Sequence, residues 1–76
     1  MKVTLDKLNL NCIGIVDNIN CNTNIKTRLL DLGIISGTQI TPVFKSMLND
    51  PIAYNVRGTI IAIRNDDAKK ITVIPL

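Results

Sequence analysis

The stretch Arg28-Leu-Leu-Asp-Leu-Gly-Ile-Ile-Ser-Gly37 decides how this chain folds. It is typical of the last turns of a short helix, followed by a glycine that ends the helix and a second glycine that opens a strand. Gly33 stands where the end of a helix needs a left-handed residue, and Gly37 stands where a tight turn needs a positive φ. Together the two glycines predict a sharp corner between a helix and a strand.

The composition favours one small domain, residues 1–76, built mainly of strands. A chain of 76 residues lies near the lower size limit for an independent hydrophobic core. Apolar residues make up 46% of it, yet Phe44 and Tyr54 are the only aromatic ones, so the core must consist mostly of isoleucine, leucine and valine. The many β-branched residues favour strands over helices.

Charge and hydropathy indicate a cytoplasmic protein. The net charge is +3 with scattered cations, which aids solubility and favours acidic partners only weakly. Val3, Leu5 and Leu8 are too interrupted by polar residues to form a secretory signal. No apolar run approaches the roughly 20 residues that span a bilayer, so any membrane association should be indirect. Cys12 and Cys21 are therefore expected to be reduced and to pack as small hydrophobic residues.

Residues 24–32 carry the pattern of one short helix. Its apolar stripe recurs at i, i+4 and i+7 and consists of Ile25, Leu29 and Leu32. Leu30 lies about 100° away from that stripe. It therefore either packs as a satellite of the core or contacts a partner. Arg28 is placed to reach the carboxylate of Asp31, three residues later on the helix.

Short alternating segments separated by turn residues predict the strands. Pro42 lacks an amide donor, so a strand over 39–45 with Ile40 and Phe44 on one face should be an edge strand or contain a bulge. Arg57 and Gly58 favour a two-residue hairpin turn. The other predicted elements are a strand over 12–16 in which Gly14 marks a bulge or a close approach, a half-buried strand over 52–56, a central strand over 60–63, a turn or one-turn helix over 65–68 and a last strand over 71–76.

The sequence offers little chemistry, and we predict a protein that is not an enzyme and has no catalytic residues. It contains no histidine and no glutamate, which removes the commonest general bases. Asp66 and Asp67 are adjacent and are expected to face water in a turn. The four glycines follow neither of the phosphate-binding patterns. We therefore predict no cofactor.

A metal site and a nucleic-acid site are disfavoured for similar reasons. Ferrous sites usually combine histidine with carboxylate, and Cys12 and Cys21 are too far apart in sequence for a zinc knuckle, so we predict no metal site. Single-stranded nucleic acid needs aromatic side chains in a cationic groove. Phe44 is expected in the core, which leaves too few such side chains.

Surface recognition remains as a function. Met47 and Leu48 stand in a loop that would ordinarily be polar. Either this loop folds back over an open end of the barrel, or it offers an adaptable apolar contact to a partner.

Several segments, taken in order and spacing from about Leu5 onwards, resemble the FeoA family. They are Arg28-Leu29, Leu32-Gly33-Ile34, Gly37-Thr38, Met47-Leu48-Asn49-Asp50-Pro51, Val56-Arg57-Gly58, Ile61-Ala62-Ile63-Arg64, Ala68, Ile71 and Val73. The resemblance implies an SH3-like β-barrel with one short helix inserted after the first strand. It also implies a cytosolic accessory protein of bacterial ferrous iron uptake that contacts the membrane permease FeoB, whose cytosolic part includes a GTP-binding domain.

On this resemblance we assign two groups of residues. The expected partner contacts are Arg28, Leu30, Met47, Leu48, Tyr54 and Arg57. The expected structural motif consists of Leu29, Leu32, Gly33, Gly37, Asp50, Pro51 and Gly58. The alternatives are a domain related to the C-terminal domain of iron- and manganese-dependent repressors, or a small barrel that binds nucleic acid. The sequence leaves the oligomeric state open.

Overall fold

The structure, a computed structural model, describes residues 1–20, 23–48 and 50–76. The predictions that involve Cys21, Asn49 and the side chain of Ile25 lie outside this part. The elements are β1 (Val3–Thr4), a 3-10 turn (Leu5–Lys7), β2 (Gly14–Ile19), α1 (Thr23–Asp31), β3 (Gln39–Lys45), β4 (Ile52–Val56), β5 (Thr59–Ile63), α2 (Asn65–Ala68) and β6 (Ile71–Pro75). The prediction of a mainly β fold with a short helix after an early strand is confirmed.

The strands form one antiparallel sheet in the order β1-β6-β2-β3-β4-β5. The last strand therefore lies inside the sheet, between β1 and β2. At one end Val3 pairs with Val73, and at the other end Tyr54 pairs with Ile61.

The corner predicted from the two glycines is confirmed. Gly33 has φ 85° and Gly37 has φ 92°. The helix end is closed by hydrogen bonds of 2.9 Å from the Ile34 N–H to the Leu29 carbonyl and from the Gly33 N–H to the Leu30 carbonyl. The fold thereby redirects the chain from α1 into β3.

The core consists of side chains from the sheet, α1, α2 and the first turn. Its apolar members are Leu5, Leu8, Val16, Leu29, Ile34, Ile40, Ile52, Tyr54, Val56, Ile63, Ala68, Ile71 and Val73. Gly14 is the site of a close approach, as predicted. A Cβ atom added there would lie 2.9 Å from Leu8 Cδ2 and 3.3 Å from Val73 Cβ.

The bulge expected in the strand that contains Pro42 is present. Because of it, Phe44 does not lie on the same face as Ile40, where it was predicted. The pairing of β3 with β4 shifts between Pro42 and Phe44, so the extra residue, Val43, reverses the alternation after it. Ile40 is buried, but Phe44 is 65% exposed. The predicted strand bounds 39–45 are correct, and the prediction of Phe44 in the core is wrong.

Three further predictions need correction. β5 lies at the edge of the sheet rather than at its centre, and Ile60 is 60% exposed. Leu32 was predicted on the apolar stripe of the helix, but α1 ends at Asp31. The side chain of Leu32, just after the helix, is therefore not aligned with the buried Leu29 and is 44% exposed. Cys12 is exposed and does not pack as a small hydrophobic residue.

Candidate functional site

Among the exposed large apolar side chains, those that are more than half exposed on α1, on the β3–β4 loop and on the outer face of the sheet are candidates for a docking site. Leu30 on α1 is 57% exposed, and Met47 and Leu48 between β3 and β4 are 100% and 87% exposed. These exposures argue against Leu30 as a satellite of the core and against a loop whose Met47 and Leu48 cover an open end of the barrel, and contact with a partner stays a prediction. Phe44 and Ile60 are exposed on the outer face of β3, β4 and β5.

A first groove, of about 340 Å³, lies beside Leu30. We call it the Leu30 groove; its lining residues are Asn18, Ile19, Lys26, Leu30, Ile34, Ile35 and Ser36. The Ser36 hydroxyl donates a hydrogen bond of 2.9 Å to the Asp17 carbonyl and so fixes one wall against β2. The lining combines isoleucine and leucine side chains with Asn18, Ser36 and the cation of Lys26, which suits a protein partner that offers an apolar side chain next to an acidic one.

A second groove, of about 370 Å³, separates α1 from β5. We call it the β-edge groove; its lining residues are Arg28, Leu29, Leu32, Ile61, Ala62, Ile63, Arg64 and Asp67. Within it Arg28 Nη2 lies 2.9 Å from Asp67 Oδ2. The predicted pairing of Arg28 with Asp31 is therefore wrong. The one-turn helix α2 places the carboxylate of Asp67 against α1. The Asp67 side chain is only 15% exposed, whereas Asp31 is solvent-exposed.

The loop between β3 and β4 has a fixed base and an exposed tip. The Asp50 N–H donates to Ser46 Oγ at 2.9 Å, and Asp50 Oδ1 accepts a hydrogen bond of 3.0 Å from the Asn65 N–H. Asp50 thereby ties the loop to the start of α2. Met47 and Leu48, at the tip, present their side chains to solvent.

Arg57 lies at the far end of β4 from this loop. With φ 55° at Arg57 and 84° at Gly58, the predicted two-residue turn is confirmed. The Gly58 N–H donates a hydrogen bond of 3.0 Å to Asn55 Oδ1. Because β4 separates Arg57 from Met47 and Leu48, these predicted contact residues do not form one patch.

Tyr54 is buried completely, so its assignment as a partner contact is wrong. Burial, and secondly the charge of Asp6, raise the pKa of Tyr54 to about 12. Its hydroxyl has no hydrogen-bond partner in the described part of the chain. The sequence held the signal for this burial, since Tyr54 alternates in phase with Ile52 and Val56, which are both in the core.

The residues that sequence reasoning missed are those of the β5 edge. Ile60 and Ala62 face outward beside Asn55 and Ala53, and Ile61 is half-buried beside the β-edge groove. The apolar character of both faces suggested a central strand. The useful signal was the tight Arg57–Gly58 turn. This turn pairs β5 with β4 but supplies no strand for the other side of β5.

The described residues hold no evident metal centre and no membrane-spanning helix. No group of three or more histidine, cysteine, aspartate or glutamate side chains within 1–20, 23–48 and 50–76 is placed to hold a metal ion. In the same ranges, no helix has the length and apolar character needed to cross a bilayer.

Two known proteins that are similar to this chain carry names that refer to iron transport or iron uptake. A proposed Fe(2+) transport protein A of Campylobacter jejuni is 30% identical over 71 residues, which cover 93% of this chain and 96% of that protein. A crystal structure of an iron uptake regulatory protein, FeoA, is 32% identical with a TM-score of 0.87, covering 100% of this chain and 99% of the other.

Structural similarity also settles the fold. A Stenotrophomonas maltophilia FeoA complexed with zinc, described as a prokaryotic SH3 domain protein, is 29% identical with a TM-score of 0.78, covering 95% of this chain and 89% of the other. The expected SH3-like fold is confirmed. A manganese-dependent transcriptional repressor shares the fold alone, since it is 14% identical at a TM-score of 0.88 over 99% of this chain and 42% of its own.

The family model gives the most direct assignment. It describes the FeoA domain and matches residues 3–75, which include the glycine corner, both grooves and the β3–β4 loop. The chain therefore belongs to the FeoA family.

Proposed function

We propose that this protein is a cytosolic accessory protein of bacterial ferrous iron uptake and that it acts by docking on the cytosolic region of the permease FeoB. The observation that carries a docking role is the exposure of Leu30, Met47 and Leu48, at 57%, 100% and 87%. Leu30 and Ile35, which is 43% exposed, both line the Leu30 groove, and an exposed apolar patch on a small domain marks an interaction site more often than scattered apolar residues do.

The proposed contact has two apolar parts and a charged rim. The Leu30 groove offers a concave surface for an apolar side chain, and the loop tip offers Met47, whose unbranched side chain adapts to irregular surfaces. Arg28 is exposed and lies outside these apolar parts, whereas Arg57 lies at the far end of β4 from the loop and does not belong to this rim. A rim charge such as that of Arg28 influences the association rate and the specificity more than the affinity.

The proposal gives the protein no catalytic step and no role as an iron carrier. Ferrous iron is the cargo of the permease. The exposed thiol of Cys12 has no histidine or glutamate in the chain to complete a ligand set with it. The accessory protein would therefore influence transport through its contact with FeoB.

The test is a calorimetric titration of the protein against full-length FeoB in detergent, with and without guanine nucleotide. We expect saturable binding, and a dependence on nucleotide would connect the contact to the GTPase cycle. Leu30→Asp, and separately the double variant Met47→Asp with Leu48→Asp, map the two apolar parts.

Leu10→Asp is the matched control, because Leu10 is 40% exposed but lies outside both apolar parts. It introduces the same single charge as Leu30→Asp, half that of the double variant, and should bind as the unmodified protein does. No binding at tens of micromolar would refute the proposed partner. Unchanged binding by all the Asp variants would refute the proposed contact surface.

A further inference from the structure

The open side of β5 is a row of backbone groups without a strand partner. β5 pairs only with β4 in the described part of the chain, and its pairing is regular from Val56–Thr59 to Ile52–Ile63. The two-residue turn makes Val56 and Thr59 a hydrogen-bonded pair. Hydrogen-bonded and non-hydrogen-bonded pairs then alternate. The N–H and C=O groups of Ile60 and Ala62 therefore point away from β4, toward the open side.

Within β5 itself, the edge carries no lysine, proline or bulge of the kind that usually protects an exposed strand. Proteins block such edges with lysine, proline, a bulge or a covering element. β5 has the sequence Thr-Ile-Ile-Ala-Ile, and its register contains no irregularity. Arg28 and Leu29 of α1 line the other side of this edge, and a groove of about 370 Å³ lies between them and the strand.

The β-edge groove has the shape that an added strand requires. Side chains of a strand alternate between the two faces of a sheet. A segment paired with β5 would thus place every second side chain in the groove, between Leu32 on the helix side and Ile61 on the strand side. Leu32 is 44% exposed and would gain burial from such a side chain. The intervening side chains would extend the outer face beside Ile60.

A second copy of this chain fits the edge poorly. Two copies related by a two-fold axis at Ile61 would pair antiparallel, with Ile60 of each opposite Ala62 of the other. That register brings Arg64 of each copy beside the Arg57–Gly58 turn of the other. Both arginines are exposed, and opposed like charges destabilise strand pairing. The same two arginines at the ends of β5 favour a segment with carboxylates at its ends.

We propose that the open edge of β5 binds an extended segment of another polypeptide by strand addition, with alternate apolar side chains in the β-edge groove and carboxylates at the segment ends. Peptide recognition of this type takes its affinity from backbone hydrogen bonds and its specificity from alternate side-chain pockets. The inference goes beyond docking on FeoB, because it does not depend on which protein supplies the segment.

The test uses peptides of defined sequence. The first probe is the capped nonapeptide Asp-Asp-Val-Thr-Val-Thr-Val-Asp-Asp, and the series replaces its three valines by leucine or by phenylalanine. NMR titration against the full chain should show saturable binding by at least one peptide. Hydrogen exchange of the Ile60 and Ala62 amides should slow in the complex. Flanking lysines in place of the aspartates should weaken binding.

Two controls separate strand addition from simple apolar contact. The added segment could run in either direction, so two N-methylated peptides are needed. With the valines in the groove, the donors that face β5 are the threonine N–H groups in antiparallel addition and the valine N–H groups in parallel addition. N-methylation of the threonine nitrogens in one peptide and of the valine nitrogens in another removes each set and leaves the protein untouched. Ala62→Pro removes an outward-facing donor, which an edge strand tolerates, whereas Ala62→Ser keeps it. We expect Ala62→Pro to weaken binding about tenfold, or about 1.4 kcal/mol, and Ala62→Ser to have little effect. Thermal unfolding shows whether each variant is folded.

Three results would overturn the inference. These are no saturable binding by any peptide at millimolar concentration, binding that leaves the exchange of Ile60 and Ala62 unchanged, and binding of both N-methylated peptides as tight as that of the unmodified peptide. Sedimentation equilibrium that shows a dimer abolished by Ala62→Pro would replace the foreign segment by a second copy. The peptide experiments contain no FeoB, so their outcome neither supports nor refutes FeoB as a partner. That proposal is tested separately by the titration against FeoB.

Discussion

Arg28 on α1 donates a hydrogen bond to the carboxylate of Asp67 on α2, and the distance from Nη2 to Oδ2 is 2.9 Å. The two residues are 39 positions apart in the sequence. The pair joins the only two α-helices in the described ranges across one wall of the β-edge groove. Its side chains are 64% and 15% exposed, so water screens the attraction only in part.

This pair should contribute little to stability. Exposed ion pairs are worth about 0.2–1 kcal/mol in double-mutant cycles. For Arg28→Ala and Asp67→Asn we expect a coupling free energy of about 0.5 kcal/mol, measured by urea unfolding at low salt. The coupling should fall in 1 M salt. A coupling above about 2 kcal/mol would show that the pair behaves as a buried one.

Tyr54 should make the protein sensitive to alkaline pH. Its pKa is 10.0 in the unfolded chain and is raised to about 12 in the fold, so the fold favours the neutral phenol. Its contribution to stability is complete below pH 10 and is lost as the pH rises toward 12. This difference corresponds to about 3 kcal/mol at most.

Tyr54→Phe isolates this effect, since it leaves every lysine in place. The variant should be about as stable as the unmodified protein at pH 7, because the lost hydroxyl has no hydrogen-bond partner among the described residues. Unfolding measured from pH 8 to 12 should show a smaller loss of stability for the variant. Parallel losses in the two proteins would contradict the burial of the phenol.

Phe44 should tolerate a polar replacement. At 65% exposure its side chain lies outside the core, so Phe44→Ser should change the free energy of unfolding by less than about 0.5 kcal/mol. Ile40→Ala on the same strand removes a fully buried side chain and should cost about 2–5 kcal/mol. If Phe44→Ser cost as much as Ile40→Ala, the bulge in β3 would be misplaced.

Gly14 should be intolerant of even one methyl group. A Cβ there would meet Leu8 Cδ2 at 2.9 Å and Val73 Cβ at 3.3 Å, and overpacking of this kind costs about 1–3 kcal/mol. We expect Gly14→Ala to lower the melting temperature. In a Leu8→Val background, which removes the closest atom, the same substitution should cost less. Additive effects of the two changes would locate the strain elsewhere.

The residues determined locally were predictable from the sequence. Gly33 and Gly37 permit the positive φ that a sharp corner needs, and Arg57 with Gly58 favours a turn of two residues. The corner and the hairpin could therefore be predicted. The faces of β3 were not, because the position of a bulge depends on the register with β4 and not on Pro42 alone.

The candidate surfaces were predicted less well than the fold. Leu30, Met47 and Leu48 were identified, but whether each was exposed depended on what packs against it, which local periodicity does not specify. The Arg28–Asp67 pair depends on the docking of α2, far along the chain. The open side of β5 follows from the order of strands, which apolar content alone does not reveal.

The place of β6 between β1 and β2 has a consequence for biosynthesis. While a ribosome holds residues 71–75 in its exit tunnel, β1 has no strand partner and β2 lacks one of its two, since in the described ranges β1 pairs only with β6. The hairpins of β3, β4 and β5 are able to form earlier, because their contacts are local. The nascent chain should therefore emerge with two of the five strand pairings unmade and complete its sheet only once β6 is free.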